Sequence, residues 1–186
     1  ASCAALGVSE LCFLDLPDGS VDEHLNESTV QNMLQALDLR NADVVITLGW
    51  DGGYGHRDHI ATTTLLHRAL ESLDPGVWPS VLHTAFPKGL FAGVWRALRK
   101  MPAPGVLAEI SVDELGTDPA DLSLRVDIST VRRQKLAAIA AHDSQLLDGD
   151  PHKFFGGQIV PRLLHEEAFV HAAGPHEPLL KLGLPQ

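Results

Sequence analysis

Cysteine, aromatic residues and positive charge are scarce in this chain of 186 residues. Its two cysteines, Cys3 and Cys12, are too few for a disulfide framework, and we expect both to be buried thiols of a reduced, cytoplasmic protein. The 14 Lys and Arg against 24 Asp and Glu give a formal net charge of −10, so we expect no nucleic-acid partner. No apolar run is long enough for a membrane span. The length and the hydrophobic fraction of 45% predict a single globular domain over residues 1–186.

Short apolar runs alternate along the chain with segments of helical spacing. A helix is predicted between the first two runs, with Ser28 as its N-cap and an apolar face at Val30, Met33, Leu34 and Leu37. Strands are predicted at residues 10–16, 43–49, 80–86, 105–112 and 124–129, with a last edge strand at 166–172. Further helices are predicted at 59–73, 89–101 and 130–147, the last capped by Ser129 or Thr130. This order predicts an α/β fold, a three-layer sandwich with a mostly parallel, Rossmann-like sheet.

The segment LGWDGGYGHRDHIA, residues 48–61, gathers chemically reactive side chains where a predicted strand leads into a helix. Its glycines fit neither the dinucleotide fingerprint nor the P-loop spacing. His56 and His59 are three positions apart, so their rings can converge on one side of the first helical turn, while Tyr54 and Asp58 add a phenol and a carboxylate. Imidazole is the commonest zinc ligand, and a carboxylate often orients it. The segment predicts a metal or acid–base site; the alternative is that it only shapes a turn.

Three segments, residues 6–19, 43–61 and 126–145, resemble in this order the PIG-L/LmbE family of zinc-dependent N-acetylglucosaminyl deacetylases. The middle segment is the most specific match, because the family carries a G-H-x-D-H motif after a strand. His142, Ser144 and Gln145 resemble a family AHxSQ element with a structural or supporting role. The resemblance implies Zn²⁺ or another divalent transition metal as cofactor and a small N-acetylated sugar conjugate as substrate. It is compatible with a homo-oligomer.

The resemblance also implies roles for individual side chains. His59 would be a zinc ligand, and His56 would stabilise the tetrahedral intermediate or protonate the leaving amine. Asp58 would hold His56 in place and favour its positively charged form, and Tyr54 would lie over the substrate carbonyl oxygen. Asp18, in a Pro-Asp-Gly turn at the end of the first predicted strand, would contact sugar hydroxyls.

The family's earlier H-P-D-D-E motif, which supplies two further zinc ligands and a general base, does not occur in this chain. We therefore expect the chain to be incomplete at its N-terminus, the complete protein to be a zinc-dependent N-deacetylase, and the chain alone to be inactive. One alternative is a catalytically incomplete, LmbE-like sugar-binding or scaffold protein. Another is a nonmetal α/β hydrolase in which His56 and Asp58 activate a nucleophile, although no G-x-S-x-G elbow occurs. Most other histidines are expected to be surface or hydrogen-bonded groups.

Overall fold

The computed structural model describes residues 1–39, 41–93, 96, 116–153 and 159–183. In these residues the strands are β1 (Val44–Leu48), β2 (Ser80–Ala85), β3 (Leu124–Asp127) and β4 (Glu166–Ala173). The α-helices are α1 (Ser2–Leu6), α2 (Glu27–Leu37), α3 (Gly52–Gly55), α4 (Arg57–Glu71), α5 (Arg132–Ala140), α6 (Val160–Leu163) and α7 (Glu177–Lys181). The predicted strand at 105–112 and most of the predicted helix at 89–101 lie outside the described residues.

The four described strands form one mixed sheet in the order β1-β2-β4-β3. The β1–β2 pair is parallel, whereas β4 runs antiparallel to both β2 and β3. The α/β class is therefore confirmed, but the sheet is not mostly parallel in the part that the structure describes. The last strand was expected at an edge and instead lies between two others, because Ala168 and Phe169 are buried there against neighbours on either side.

Successive residues of β2 pack into two different apolar clusters. Val81 joins the cluster made by one face of α4 and by α2, in which Leu65 and Leu70 of α4 are 1% and 0% exposed. Leu82 joins a second cluster with Phe169 of β4 and Leu179 of α7. Alternation of side chains along a strand produces this arrangement. Burial of each such leucine contributes about 1.5–3 kcal/mol.

The helices begin at residues other than those predicted. The N-cap of α2 is Asn26, whose side-chain oxygen accepts from the Thr29 N–H at 3.2 Å, so the predicted Ser28 cap is wrong. Helix α4 begins at Arg57 with His56 as its N-cap, two residues earlier than predicted. Helix α5 begins after Val131, without a side-chain cap. Capping depends on which polar oxygen reaches an unsatisfied N–H, and spacing alone does not determine this.

Residues 10–16, predicted as a strand, have no strand structure. Leu11 is 61% exposed and Phe13 is 74% exposed, while Leu14 packs against the cluster between α2 and α4. The left-handed backbone of Asp15, with a φ of 53°, interrupts any extended run at this point. A strand also needs a hydrogen-bonded neighbour, and the pairings of the described strands do not include this segment.

The two cysteines do not behave as predicted. Cys12 is exposed and Cys3 is half-buried, and both are free thiols. Cys12 lies in the segment 10–16 that has no strand structure, and Cys3 lies in α1, which has no buried residues, so neither thiol is part of the core. Across the described ranges, no helix is both long and apolar enough to cross a bilayer.

Candidate active site

The loop between β1 and α4 depends on glycines in left-handed backbone. Gly52 and Gly53 have φ values of 62° and 78°. The Asp51 carboxylate accepts from the Gly53 N–H at 2.9 Å, and a Cβ at Gly53 would lie 3.1 Å from the Phe86 ring. Only a residue without a side chain fits this turn comfortably. The turn leads directly to the side chains of residues 54–59.

Three of the predicted site residues converge after this turn. The ring centroids of His56 and His59 are 4.6 Å apart, and Tyr54 meets His59 edge-on at 5.3 Å and His56 at 5.9 Å. Burial raises the pKa of Tyr54, so its hydroxyl stays protonated at neutral pH and remains a hydrogen-bond donor. The cluster therefore combines two imidazoles with one phenolic donor.

The ring of His59 is oriented by the turn itself. Its Nδ1 lies 2.9 Å from the carbonyl oxygen of Gly52. A carbonyl oxygen can only accept, so Nδ1 carries the proton and donates, which leaves the lone pair of Nε2 free. A metal-binding histidine commonly has this arrangement, with one ring nitrogen held by a carbonyl and the other directed at the ion.

His56 has the opposite tautomer. Its Nδ1 accepts from the backbone N–H of Asp58 at 3.3 Å, which makes His56 the N-cap of α4. In the neutral ring the proton is then on Nε2. The Nε2 atom of His56 can therefore donate a hydrogen bond, whereas the Nε2 atom of His59 presents a lone pair.

The Asp58 carboxylate is only 7% exposed and binds a distant loop. Its oxygens accept from the N–H groups of Gly19, at 2.6 Å, and Val21, at 3.1 Å. The hydrogen bond between Asp58 and His56 uses the Asp58 backbone, because side chains two positions apart on a helix do not face each other. Asp58 thus holds the turn containing the exposed Asp18 beside α4. Its predicted effect on the charge of His56 stays a prediction.

The described residues provide one well-oriented metal ligand, His59, and do not provide the complete set of ligands of a catalytic zinc site. Within them, no three His, Cys, Asp or Glu side chains come together to hold a metal ion. A catalytic zinc site takes three protein ligands, so His59 fits as one of them and leaves the site incomplete. His142, from the predicted supporting element, has its Nδ1 3.0 Å from the carbonyl oxygen of Ala138 in α5.

The sequence interpretation missed a histidine pair next to this loop. The Nε2 atoms of His67 and His83 are 2.9 Å apart, and the ring of Trp50 lies 4.5 Å from that of His67. His83 is 4% exposed, and burial, followed by the proximity of His67, lowers its pKa to about 4. The signal was present, since His83 alternates with Val81 and Ala85 along a strand buried on both faces.

Comparison with known proteins supports the family suggested by the motifs. Residues 1–70 match the family described as PIG-L: GlcNAc-PI de-N-acetylase. This range includes the whole loop and the start of α4, with Tyr54, His56, Asp58 and His59. The predicted resemblance to this family is confirmed over these residues.

Several relatives carry the same name, 1D-myo-inositol 2-acetamido-2-deoxy-alpha-D-glucopyranoside deacetylase. One from Saccharomonospora viridis is 34% identical over 150 residues, covering 80% of this chain and 54% of the relative. One from Thermobispora bispora is 28% identical over 205 aligned residues, covering 96% of this chain and 67% of the relative. The chain thus spans between about half and two thirds of the length of these relatives.

Proposed function

We propose that the complete protein is a metal-dependent hydrolase that removes the acetyl group from an N-acetylated amino sugar or a related small amide. The observation that carries this proposal is the convergence of Tyr54, His56 and His59, with the Nε2 lone pair of His59 free. The family match over residues 1–70 and the deacetylase names of the relatives support the same reaction.

A zinc ion bound at His59 would polarise the amide carbonyl and lower the pKa of a bound water. The residues of this chain would do the remaining work. His56 would donate a hydrogen bond from Nε2–H to the tetrahedral intermediate, and Tyr54 would donate one from its hydroxyl to the developing oxyanion. Loss of one such donor costs about 3–4 kcal/mol of barrier. The leaving amine nitrogen would take up the proton released by the attacking water. Asp18, placed by Asp58, would accept hydrogen bonds from sugar hydroxyls.

Further parts of the proposal concern the whole protein. We propose one LmbE-like domain with a three-layer, Rossmann-like arrangement. The complete protein would be located in the cytoplasm and would bind a small N-acetylated sugar conjugate. Its oligomeric state would be compatible with a homo-oligomer.

The test combines metal content with acetate release in the full-length protein. We expect His59→Gln to lose both zinc and activity, because it removes a ligand. His56→Gln should keep zinc and lose about 10²–10³-fold in rate, since it removes the imidazole N–H that stabilises the tetrahedral intermediate. His152→Gln, at an exposed position, is the control and should change neither. Full zinc content in His59→Gln would refute the ligand role.

A parallel measurement compares the full-length protein with the 186-residue chain. We expect the chain alone to bind zinc poorly and to have negligible activity, because its described residues provide one oriented ligand. Tight stoichiometric zinc together with turnover in the chain alone would contradict this expectation.

One observation favours a second candidate function, a catalytically incomplete sugar-binding protein. Within the described ranges no three candidate ligands gather for a metal. Such a protein would bind N-acetylated sugars at the same loop without releasing acetate, even with zinc in excess. Calorimetric binding measured together with an acetate assay on the full-length protein separates the two candidates.

A further inference from the structure

A cavity with basic side chains in its lining lies between α5 and α6, away from the candidate active site. Its volume is about 290 Å³, and Arg132 and Arg133 of α5 line it. The candidate active site follows β1, whereas α5 follows β3, and these two are the outer strands of the described sheet. Three strand spacings, roughly 14 Å, therefore separate the two places across the sheet. Of the described residues that line this cavity, none belongs to the loop with His59.

The charge of this lining is opposite to that of the whole molecule. Its described residues are arginine, histidine, leucine and proline, without a carboxylate among them. In the whole chain, by contrast, 24 Asp and Glu outnumber 14 Lys and Arg. Arg132 and Arg133 are exposed as well as lining the cavity, so an incoming ligand can reach them from solvent. A local positive field of this kind attracts an anion.

Arg132 and Arg133 have no ion-pair partner within the part of the chain that the structure describes. The nearby carboxylates of Glu166 and Glu167 already pair with other cations, at 2.8 Å and 2.7 Å. The cations that form ion pairs in the described ranges are Arg57, Arg125, Lys135, Lys153 and Lys181. The positive charge at the cavity is thus not balanced by a described carboxylate.

The rest of the lining indicates what kind of anion fits. Apart from its basic residues, the lining is apolar and consists of Leu136, Pro161 and Leu164. A guanidinium group can form two parallel hydrogen bonds to a phosphate or a carboxylate. Two permanently charged arginines balance a phosphate monoester, which has a charge of about −1.5 to −2 at neutral pH, whereas a carboxylate would leave one arginine unpaired. The apolar wall favours a phosphate that is attached to an apolar group.

We propose that this cavity binds a small, soluble phosphate monoester whose ester group is apolar. Arg132 and Arg133 bind the phosphate oxygens, and the ester group covers Leu136 and Leu164. A phosphorylated lipid in a bilayer offers the same chemistry, but the net charge of −10 opposes approach to an anionic membrane surface. The assignment does not depend on deacetylation at His59, because the described residues of the two sites are different.

Calorimetry with phenyl phosphate as the probe tests the site in the metal-loaded, full-length protein at physiological salt. We expect Arg132→Gln and Arg133→Gln each to weaken binding about tenfold, because each removes a charge-assisted interaction. Arg162→Gln is the matched control. Arg162 is an exposed arginine next to the lining residue Pro161 but is not itself in the lining, so this variant should stay within about twofold of the wild type. Equal affinity in the wild type and in the variant with both lining substitutions would overturn the site.

Two further probes test the chemistry of the ligand. Phenyl sulfate has the same ring with a single negative charge, and inorganic phosphate has the charge without the ring. We expect each to bind about tenfold more weakly than phenyl phosphate. Phenyl sulfate binding as tightly as phenyl phosphate would overturn the assignment of a dianion, and inorganic phosphate binding as tightly would overturn the contact with the apolar wall.

The last comparisons establish where the probe binds and in what form. His59→Gln, which removes the proposed metal ligand, should bind phenyl phosphate as the wild type does. Loss of binding in this variant would place the probe at the metal and overturn a separate site. Binding to vesicles that contain phosphatidic acid, without binding of phenyl phosphate, would overturn the soluble ligand.

Discussion

Asp58 is a buried carboxylate that joins two segments far apart in the sequence. It lies in the first turn of α4, and its oxygens accept from backbone N–H groups 39 and 37 residues away, at Gly19 and Val21. Two charge-assisted bonds in a buried place are worth more than the same bonds at the surface. The position of the turn containing Asp18 therefore depends on this one side chain.

We expect Asp58→Asn to lower the free energy of unfolding by about 1–3 kcal/mol. The side-chain amide of asparagine has one oxygen that accepts and one NH₂ group that only donates, so one of the two backbone N–H groups loses its acceptor. Asp22→Asn is the matched control, since Asp22 is another carboxylate near the same turn but forms an ion pair with Arg57, whose side chain is 63% exposed. Its effect should be small. Denaturant unfolding measures both variants, and equal losses would show that the carboxylate of Asp58 does not hold the loop.

At the scale of elements, the glycine after β4 lies very close to the chain just before β2. Gly174 has a φ of 76°, and a Cβ there would lie 1.9 Å from the carbonyl oxygen of Pro79, just before β2. Gly7 has a similar φ of 74° with open space around it. Alanine substitutions at Gly7 and Gly174 therefore separate two losses of stability: the loss due to the left-handed backbone and the loss due to the close contact with Pro79.

Gly7→Ala should therefore cost only the left-handed conformation, about 1–2 kcal/mol. Gly174→Ala should cost more than this, because the chain after β4 must also move away from Pro79. Thermal and denaturant unfolding of both variants give the comparison. Similar losses would indicate that β4 can move without disturbing β2.

The pair of His67 and His83 makes stability depend on pH. Burial, followed by the nearby His67, lowers the pKa of His83, and Asp51 opposes this shift; burial also lowers the pKa of His67, opposed by Glu71. Below an unfolded pKa of about 6.5 the unfolded chain binds protons that the folded chain does not. The stability that the folded chain owes to the neutral form of His83 is therefore fully present above about pH 6.5, and it is lost as the pH falls towards 4.

We expect the free energy of unfolding to decrease by up to about 1.4 kcal/mol per pH unit in that range on account of His83. His83→Gln should reduce this slope, whereas His152→Gln, at an exposed position, should leave it as in the wild type. Chemical unfolding at a series of pH values measures the slopes. A wild-type slope in His83→Gln would contradict the assignment to this ring.

Local spacing predicted the elements and contacts that depend on neighbouring residues. The three-residue interval between His56 and His59 predicted their convergence, and the apolar periodicity predicted α2, α4, β1 and β2 to within a few residues. The partners of Asp58 and the position of β4 depend on contacts distant in sequence, so spacing carried no information about them.

At the scale of the whole molecule, the net charge of −10 leads to a prediction about association. We expect no change in the fluorescence anisotropy of a labelled DNA duplex on addition of the protein at physiological salt. An acidic surface offers few cationic side chains to displace the counterions that are condensed on the DNA phosphates. A basic DNA-binding domain is the positive control. Saturable binding to the duplex would show that a local basic surface outweighs the net charge.

The place of β4 inside the sheet has a consequence for biosynthesis. Of the strands in the part of the chain that the structure describes, Glu166–Ala173 is made last, and it joins the parallel β1–β2 pair to β3. A nascent chain that has emerged from the ribosome only as far as β3 therefore has β2 and β3 without the strand that lies between them, and the sheet closes only after β4 has been made. Slow, late closure of this kind leaves an interval in which chaperones or aggregation compete with folding.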